Sequence, residues 1–148
     1  MTTATTIFFD MDGTLADLYG VENWLDYLES LNPYPYMVAE PLLRLSSLAR
    51  ILNRLQRQGY RIGVISWLSK SGTDAYNELV TDAKLFWLKK HLPSVRFDEI
   101  HIVKYGIPKA NFAHTSADIL FDDEDRNRVN WTGPAFDVGD ILNVLKGI

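Results

Sequence analysis

The sequence predicts an α/β fold, a five-stranded parallel sheet covered by helices, built as a single domain over all 148 residues. Two observations carry that expectation. Five short segments, residues 5–10, 61–66, 97–103, 118–122 and 135–138, have strand character, and stretches of helical spacing separate several of them. Such alternation is what parallel strands joined by crossover helices produce. The first and fourth segments are also nearly free of polar side chains until their last residues, Asp10 and Asp122. Strands apolar throughout are buried on both faces, so these two belong in the middle of the sheet. Hydrophobic types make up 47% of the chain, enough for one well-buried core and too little sequence for a second domain.

The elements follow in order. After the first strand, about 50 residues (11–60) pass before the second strand is under way, far more than one crossover helix needs, so an insertion is expected at about residues 18–40. Residues 18–31 have helical apolar spacing and Asn32-Pro33-Tyr34-Pro35 breaks it, which predicts a small helical lid. Leu45, Leu48, Leu52 and Leu55 recur three or four apart, with Pro41 near the start and Gly59 just past the end, and predict a helix. Ala75, Leu79, Ala83, Phe86 and Trp87 trace a second apolar stripe, with Asp82, Lys84, Lys89 and Lys90 expected on its outer side. Asp140 before Ile141, Leu142, Val144 and Leu145 predicts an N-cap and a short closing helix.

Composition excludes several function classes. Cysteine is absent, which removes disulfides, thiolate metal sites and cysteine nucleophiles and leaves oxygen-ligated Mg²⁺ or Ca²⁺ open. With 15 Lys plus Arg against 19 Asp plus Glu, the formal net charge is −4 and no stretch concentrates five or six basic residues, so stable nucleic-acid binding is not expected. Residues 1–6 carry no basic side chain, and Ile7-Phe8-Phe9 is too short for a signal core or a membrane span. The default expectation is a cytoplasmic protein with no membrane contact.

Chemistry concentrates where the apolar strands end. In Asp10-Met11-Asp12-Gly13-Thr14-Leu15 alternation aims Asp10 and Asp12 into one space, and Gly13 lets the chain bend. Two carboxylates held together call for a cation, and Mg²⁺ prefers one or two carboxylates with phosphate oxygens and water. Ser66 closes the second strand, followed by Trp67-Leu68-Ser69, with Ser69 and Ser71 as rivals. Lys109, in Ile107-Pro108-Lys109-Ala110-Asn111, and the alternative Lys104 precede the fourth strand, which ends in Asp122-Asp123-Glu124-Asp125. Tyr19, Trp24, Tyr27, Tyr34 and Tyr36 crowd the lid; with Trp67 they offer faces for a planar ligand or a filling for the lid. His91, His101 and His114 show no metal-ligand spacing.

An apolar strand followed by Asp-x-Asp-Gly-Thr, a Ser at the next strand end, a lysine, and an apolar strand ending in paired acids resemble, in that order, the four motifs of the haloacid dehalogenase superfamily. The resemblance runs from Ile7 to the final helix and implies a three-layer Rossmann-like fold with a small cap after strand one. It implies a Mg²⁺-dependent phosphatase in which Asp10 is the nucleophile and Asp12 the general acid and base. Ser66 and Lys109 would bind the phosphoryl group, and Asp10, Asp12, Asp122 and Asp123 would hold the metal. One of Asp122 and Asp123 would ligate it directly; the other would act through water or orient Lys109. Thr14 is expected to steady the loop and to reach the substrate, with Trp67 lining the substrate side.

The short insertion, the stretch Ala83-Lys84-Leu85-Phe86-Trp87-Leu88-Lys89-Lys90 and the tail Ser116-Ala117-Asp118-Ile119-Leu120-Phe121-Asp122-Asp123 are similar to the small 5'(3')-deoxyribonucleotidases. The lid here is shorter and the interval between Lys109 and Asp122 longer than theirs. The expected substrate is a small phosphorylated metabolite, foremost a nucleoside monophosphate. A sugar phosphate, a polynucleotide end, or a catalytically silent binding protein are the alternatives. So small a lid leaves room for a second subunit over the cleft, which puts a homodimer among the expectations.

Overall fold

The computed structural model describes residues 4–148. Its main sheet has five parallel strands: β1 (Thr6–Phe9), β4 (Arg61–Trp67), β5 (Glu99–Val103), β6 (Ile119–Phe121) and β7 (Ala135–Phe136), in the order β5-β4-β1-β6-β7. β1 lies at the centre, wholly buried, pairing Thr6 to Phe9 with Arg61 to Val64 on one side and Ile7 to Phe9 with Ile119 to Phe121 on the other. From β1 the chain moves outward through β4 to β5 and then returns to build β6 and β7 on the other flank. The order therefore reverses between β1 and β6, the place where open α/β sheets bind ligands at their carboxyl ends. Asp10 and Asp122 are the residues that leave those two strands there.

Alternation along β1 divides the core. Ile7 and Phe9 face the side covered by α3 (Leu45–Arg57), α4 (Asp74–His91) and α6 (Ile141–Lys146), where they meet Leu48, Leu52, Trp87 and Leu145. Phe8 faces the thinner side with Ile65, Leu120 and Trp131, next to the 3-10 turn Lys109–Phe112 and α5 (Asp125–Asn130). α3 forms for the reason its leucine spacing gives: Leu45, Leu48, Leu52 and Leu55 are its buried face, and Gly59 supplies the positive φ of 101° past its end. Pro41 is not in that helix but in a short strand before it. Asp140 precedes α6 without a side-chain cap; Asp137 caps the 3-10 turn ahead of it.

Between β1 and α3 the chain makes its excursion. Two-residue strands β2 (Ala16–Asp17) and β3 (Glu40–Pro41) pair antiparallel at its base. Above them lie a 3-10 turn (Leu18–Gly20), α1 (Trp24–Glu29) and α2 (Tyr34–Val38). The single helix expected over residues 18–31 is thus divided at Asn23 and closed before Leu31, both of which adopt left-handed backbone, with φ of 61° and 58°. Asn32 and Pro33 separate the two helices, yet Tyr34 and Pro35, expected to be part of the break, open α2, since a first helical turn has no need of the proline N–H. Tyr36 from α2 and Leu18 are buried against Leu68 and against Tyr76, Val80 and Ala83 of α4, which seats the excursion beside the carboxyl end of the sheet.

The α4 stripe differs from the expected one. Leu79 (50% exposed) and Phe86 (48%) face solvent, while Tyr76, Val80, Ala83, Lys84, Trp87 and Leu88 are buried. The helix is rotated because its inner face must meet two surfaces, the sheet through Trp87 and the lid through Tyr76 and Val80. Lys84, expected outside, therefore points in. Among the described residues no helix is long and apolar enough to cross a membrane.

Candidate active site

The loop after β1 is fixed by its own backbone. Asp10 N–H donates to Phe121 O at 2.9 Å, extending the sheet ladder by one residue, and Met11 O accepts from the amides of Thr14, Leu15 and Ala16. Gly13 has φ of 81°, and a Cβ there would collide with the Asp123 carboxylate, so glycine serves both the turn and the close approach of the two loops. Asp10 and Asp12 project toward a cleft of about 230 Å³ lined also by Tyr19, Trp24, Trp67, Tyr105, Lys109, Asp122, Glu124 and Asn127.

Asp10 is held on both oxygens. Lys109 Nζ donates to Oδ1 at 2.9 Å and Thr14 Oγ1 to Oδ2 at 2.9 Å. The same ammonium donates to Asp122 Oδ2 at 2.7 Å, so Lys109 joins the ends of β1 and β6. Asp122 also accepts from Glu124 N at 2.9 Å and Asn127 Nδ2 at 3.1 Å. Burial alone would push the Lys109 ammonium down, but the carboxylates of Asp10 and Asp122 outweigh it and hold it above its ordinary value. Lys104 is exposed just after β5 and touches none of these groups.

Asp123 completes the acidic group. One carboxylate oxygen each from Asp10, Asp122 and Asp123 lie within 4.8 Å of one another. Burial, then the neighbouring charge of Asp10, pushes Asp123 up to about 8, and the same two causes raise Asp122. A hard divalent cation fits this donor set: the ligands are all oxygen, the carboxylates are close enough to share one ion, and the charge they concentrate is what such an ion neutralises. Among the described residues no other cluster of three such ligands forms.

The remaining expected residues fall behind or beside this group. Thr14 is fully buried, and its hydroxyl donates to Asp10 while accepting from Asp123 N at 3.1 Å. It steadies the loop and has no face on the cleft, unlike the substrate contact expected of it. Asp12 stands apart from the acidic trio that could share an ion; its Oδ2 accepts from Lys84 Nζ at 3.0 Å. Burial pushes Asp12 up, against the lowering pull of Lys84 and with a raising push from Asp10. Ser66 is fully buried at the end of β4 and accepts from Lys84 Nζ at 2.7 Å. Trp67 lines the cleft, its indole N–H fixed to Ile107 O at 2.8 Å.

Sequence reasoning missed four contributors. Lys84 was hidden by the phase of its helix. Tyr105 packs on Trp67 with ring centroids 5.0 Å apart, and Arg126 lies over both rings at 4.9 and 5.4 Å. Asn127 braces Asp122 from α5. The Gly106 turn and the Arg126 charge were visible, but nothing in their spacing ties them to Trp67. Of the lid aromatics, Tyr19 and Trp24 line the cleft, whereas Tyr27 pairs with Tyr34 and Tyr36 fills the lid's contact with α4.

No protein-family model and no curated protein matches this chain. Solved structures do. The D,D-heptose 1,7-bisphosphate phosphatase from Burkholderia thailandensis aligns at 15% identity with a TM-score of 0.52, over 85% of this chain and 71% of that one. A chain in a Pnkp1/Rnl/Hen1 complex aligns at 20% identity with a TM-score of 0.56, over 93% of this chain; the match spans 47% of that longer chain. At these identities the likeness establishes the fold, the three-layer Rossmann-like α/β arrangement expected from the haloacid dehalogenase resemblance.

Proposed function

We propose that this chain is a Mg²⁺-dependent phosphomonoesterase that works through an aspartyl-phosphate on Asp10, with a nucleoside monophosphate as the foremost substrate class. The observation that supports it most is the pairing of two aspartates with two buried lysines at the strand ends: Asp10 on Lys109, Asp12 on Lys84. Asp10 and Asp12 have different partners and so suit different tasks. That one solved neighbour is a heptose bisphosphate phosphatase agrees with the reading.

In the first step an Asp10 carboxylate oxygen attacks phosphorus, the bond from phosphorus to the ester oxygen breaks, and Asp12 gives its proton to the departing alkoxide. Burial keeps Asp12 easier to protonate than an ordinary carboxyl, which suits that donation. In the second step Asp12 takes a proton from water as the water oxygen attacks phosphorus, and the bond to Asp10 breaks to free phosphate. Lys109 holds Asp10 in place and offsets the negative charge gathered at the phosphoryl group. Mg²⁺ held by Asp10, Asp122 and Asp123 would lessen the repulsion between the nucleophile and an anionic ester. Two aromatic pairs line the cleft, Trp67 with Tyr105 and Tyr19 with Trp24, and give it an aromatic rim that suits a nucleobase.

The Pnkp1/Rnl/Hen1 likeness and the exposed cations at the rim, Arg126 over Trp67 and Lys70 over Tyr105, favour a second reading, removal of a phosphate from a polynucleotide end. Hydrolysis of p-nitrophenyl phosphate with and without Mg²⁺, with Asp10→Asn as control, tests the reaction. Metal-dependent turnover lost in the variant is expected, and an inactive wild type would return the chain to a silent binding protein. A panel of mononucleotides, sugar phosphates and 3'-phosphorylated oligonucleotides then separates the substrate classes, with mononucleotides expected to turn over fastest.

A further inference from the structure

Lys84 is a charged side chain 1% exposed in the middle of α4, and the reaction as described gives it no task of its own. Its ammonium has three N–H bonds and three acceptors: Asp12 Oδ2 at 3.0 Å, Ser66 Oγ at 2.7 Å and Trp67 O at 2.8 Å. The face of Tyr36 closes over the same nitrogen at 5.2 Å from the ring centre. An ammonium has no further donor once three are used, so Lys84 has none left for a phosphoryl oxygen. Lys109 differs, because among the described residues its two carboxylate partners leave one N–H uncommitted.

We infer that Lys84 is a positioning residue, which ties the Asp12 carboxylate to the end of β4 so that Asp12 meets the leaving oxygen in one fixed orientation. The geometry is a tripod. Two feet, Ser66 Oγ and Trp67 O, stand on the strand that neighbours β1, and the third holds the free end of Asp12, whose side chain has no other hydrogen-bond partner among the described residues. Ser66 accepts from an ammonium that can only donate, so its own proton is turned away from Lys84. The anchor also couples the lid to the acid, since Tyr36 of α2 packs over Lys84 and Tyr76 and Val80 of the same helix carry Leu18. A proton donor misplaced by an ångström loses much of its effect, which is why such a brace matters.

The inference rests on the proposed role of Asp12, and a pair of esters separates the two. Phenyl phosphate and p-nitrophenyl phosphate are alike in shape, but phenolate is a basic leaving group that needs a proton and nitrophenolate far less. In single-turnover experiments with Mg²⁺, Lys84→Met should slow phenol release by about 100-fold and nitrophenolate release by less than about tenfold, with little change in the ester concentration that half-saturates the enzyme. Equal losses on the two esters with an active wild type would overturn the role of Lys84. No release by the wild type, or undiminished release by Asp10→Asn, would instead overturn the proposed reaction. Should Lys84→Met fail to fold, the Asp12→Asn, Lys84→Met double variant leaves no buried charge unpaired and carries the test. Nitrophenolate release within about twofold of Asp12→Asn alone supports action through Asp12. A further loss, or a double variant that is also unfolded, shows that Lys84 serves the fold instead.

Discussion

β6 is bounded by two buried aspartates, and the contrast between them separates the back of the molecule from its front. Asp118, at the amino end, accepts from Thr6 N, His114 N, Thr115 N and Thr115 Oγ1, all between 2.7 and 3.0 Å. Its carboxylate is consumed by groups that would otherwise be orphaned, so it staples the start of β1 to the loop before β6 and has nothing left for a ligand. Asp122, at the carboxyl end, is as deeply buried but shares a lysine with Asp10, lies close to Asp123, and opens on a cleft. Burial alone therefore does not mark a functional carboxylate. What sets Asp122 and Asp123 apart is charge left to be balanced from outside the chain, and their raised pKa values are that imbalance.

Substitution at the two ends gives the largest effects. Asp122→Ala should lower turnover by roughly 1000-fold while the protein stays folded, because it removes both a proposed metal ligand and a partner of Lys109. Asp118→Ala should lower the urea-unfolding free energy by roughly 3 kcal/mol through its abandoned donors and leave the turnover of the folded fraction near wild type. A folded Asp118→Ala protein without activity, or an active Asp122→Ala protein, would break the contrast.

A middle-sized effect follows from Asp123. Its folded pKa is raised, so across the window from about pH 4, where the unfolded chain ionises, to about pH 8 the native state binds more protons than the unfolded state. Metal-free protein should therefore lose stability as pH rises through that window, by about 1 to 2 kcal/mol once solvent screening of a half-buried group is allowed for. Asp123→Asn should flatten the slope, and added Mg²⁺ should stabilise the wild type most at the alkaline end, where it replaces no proton. Thermal unfolding in chelator and in Mg²⁺ across pH reads both.

The smallest effect sharpens the back end. Burial would raise Glu99, but hydrogen bonds from His101, His114 and Arg61 outweigh it and hold the carboxyl below its ordinary value. Its contribution is present above the unfolded value and fades as pH falls through the lowered folded one. Glu99→Gln should cost less than about 1 kcal/mol at neutral pH, with the deficit shrinking in acid and turnover unchanged.

How much of this the residues announced depends on the range of the interaction. The Asp10 to Thr14 loop, the paired acids after β6 and the centrality of both strands were legible because each is local: an apolar run, an acid at its end, a glycine where the chain must turn. Lys109 was preferred to Lys104 because Pro108 and Gly106 shape its loop, but the sequence left the choice between them open. Lys84 was not legible. Its helix carries Leu79, Leu85 and Phe86 on the exposed face, so apolar spacing pointed to the wrong side, and only the combined demands of sheet and lid set the true phase. The same holds for Asp118, read as the first residue of a strand, and for Tyr105 and Arg126, whose meeting with Trp67 depends on three separate loops. Thr14 was placed correctly in the loop but has no face toward a substrate, because its hydroxyl is spent between Asp10 and Asp123.

Covalent phosphorylation of Asp10 is the step on which the proposed reaction most directly depends. Protein quenched in acid during Mg²⁺-supported turnover of p-nitrophenyl phosphate, and weighed intact before peptide mapping, should carry one phosphoryl group on the peptide that contains Asp10, and Asp10→Asn should carry none. Continued nitrophenolate release with no phosphoryl group captured on the protein, or with the group mapped to a side chain other than Asp10, would contradict it.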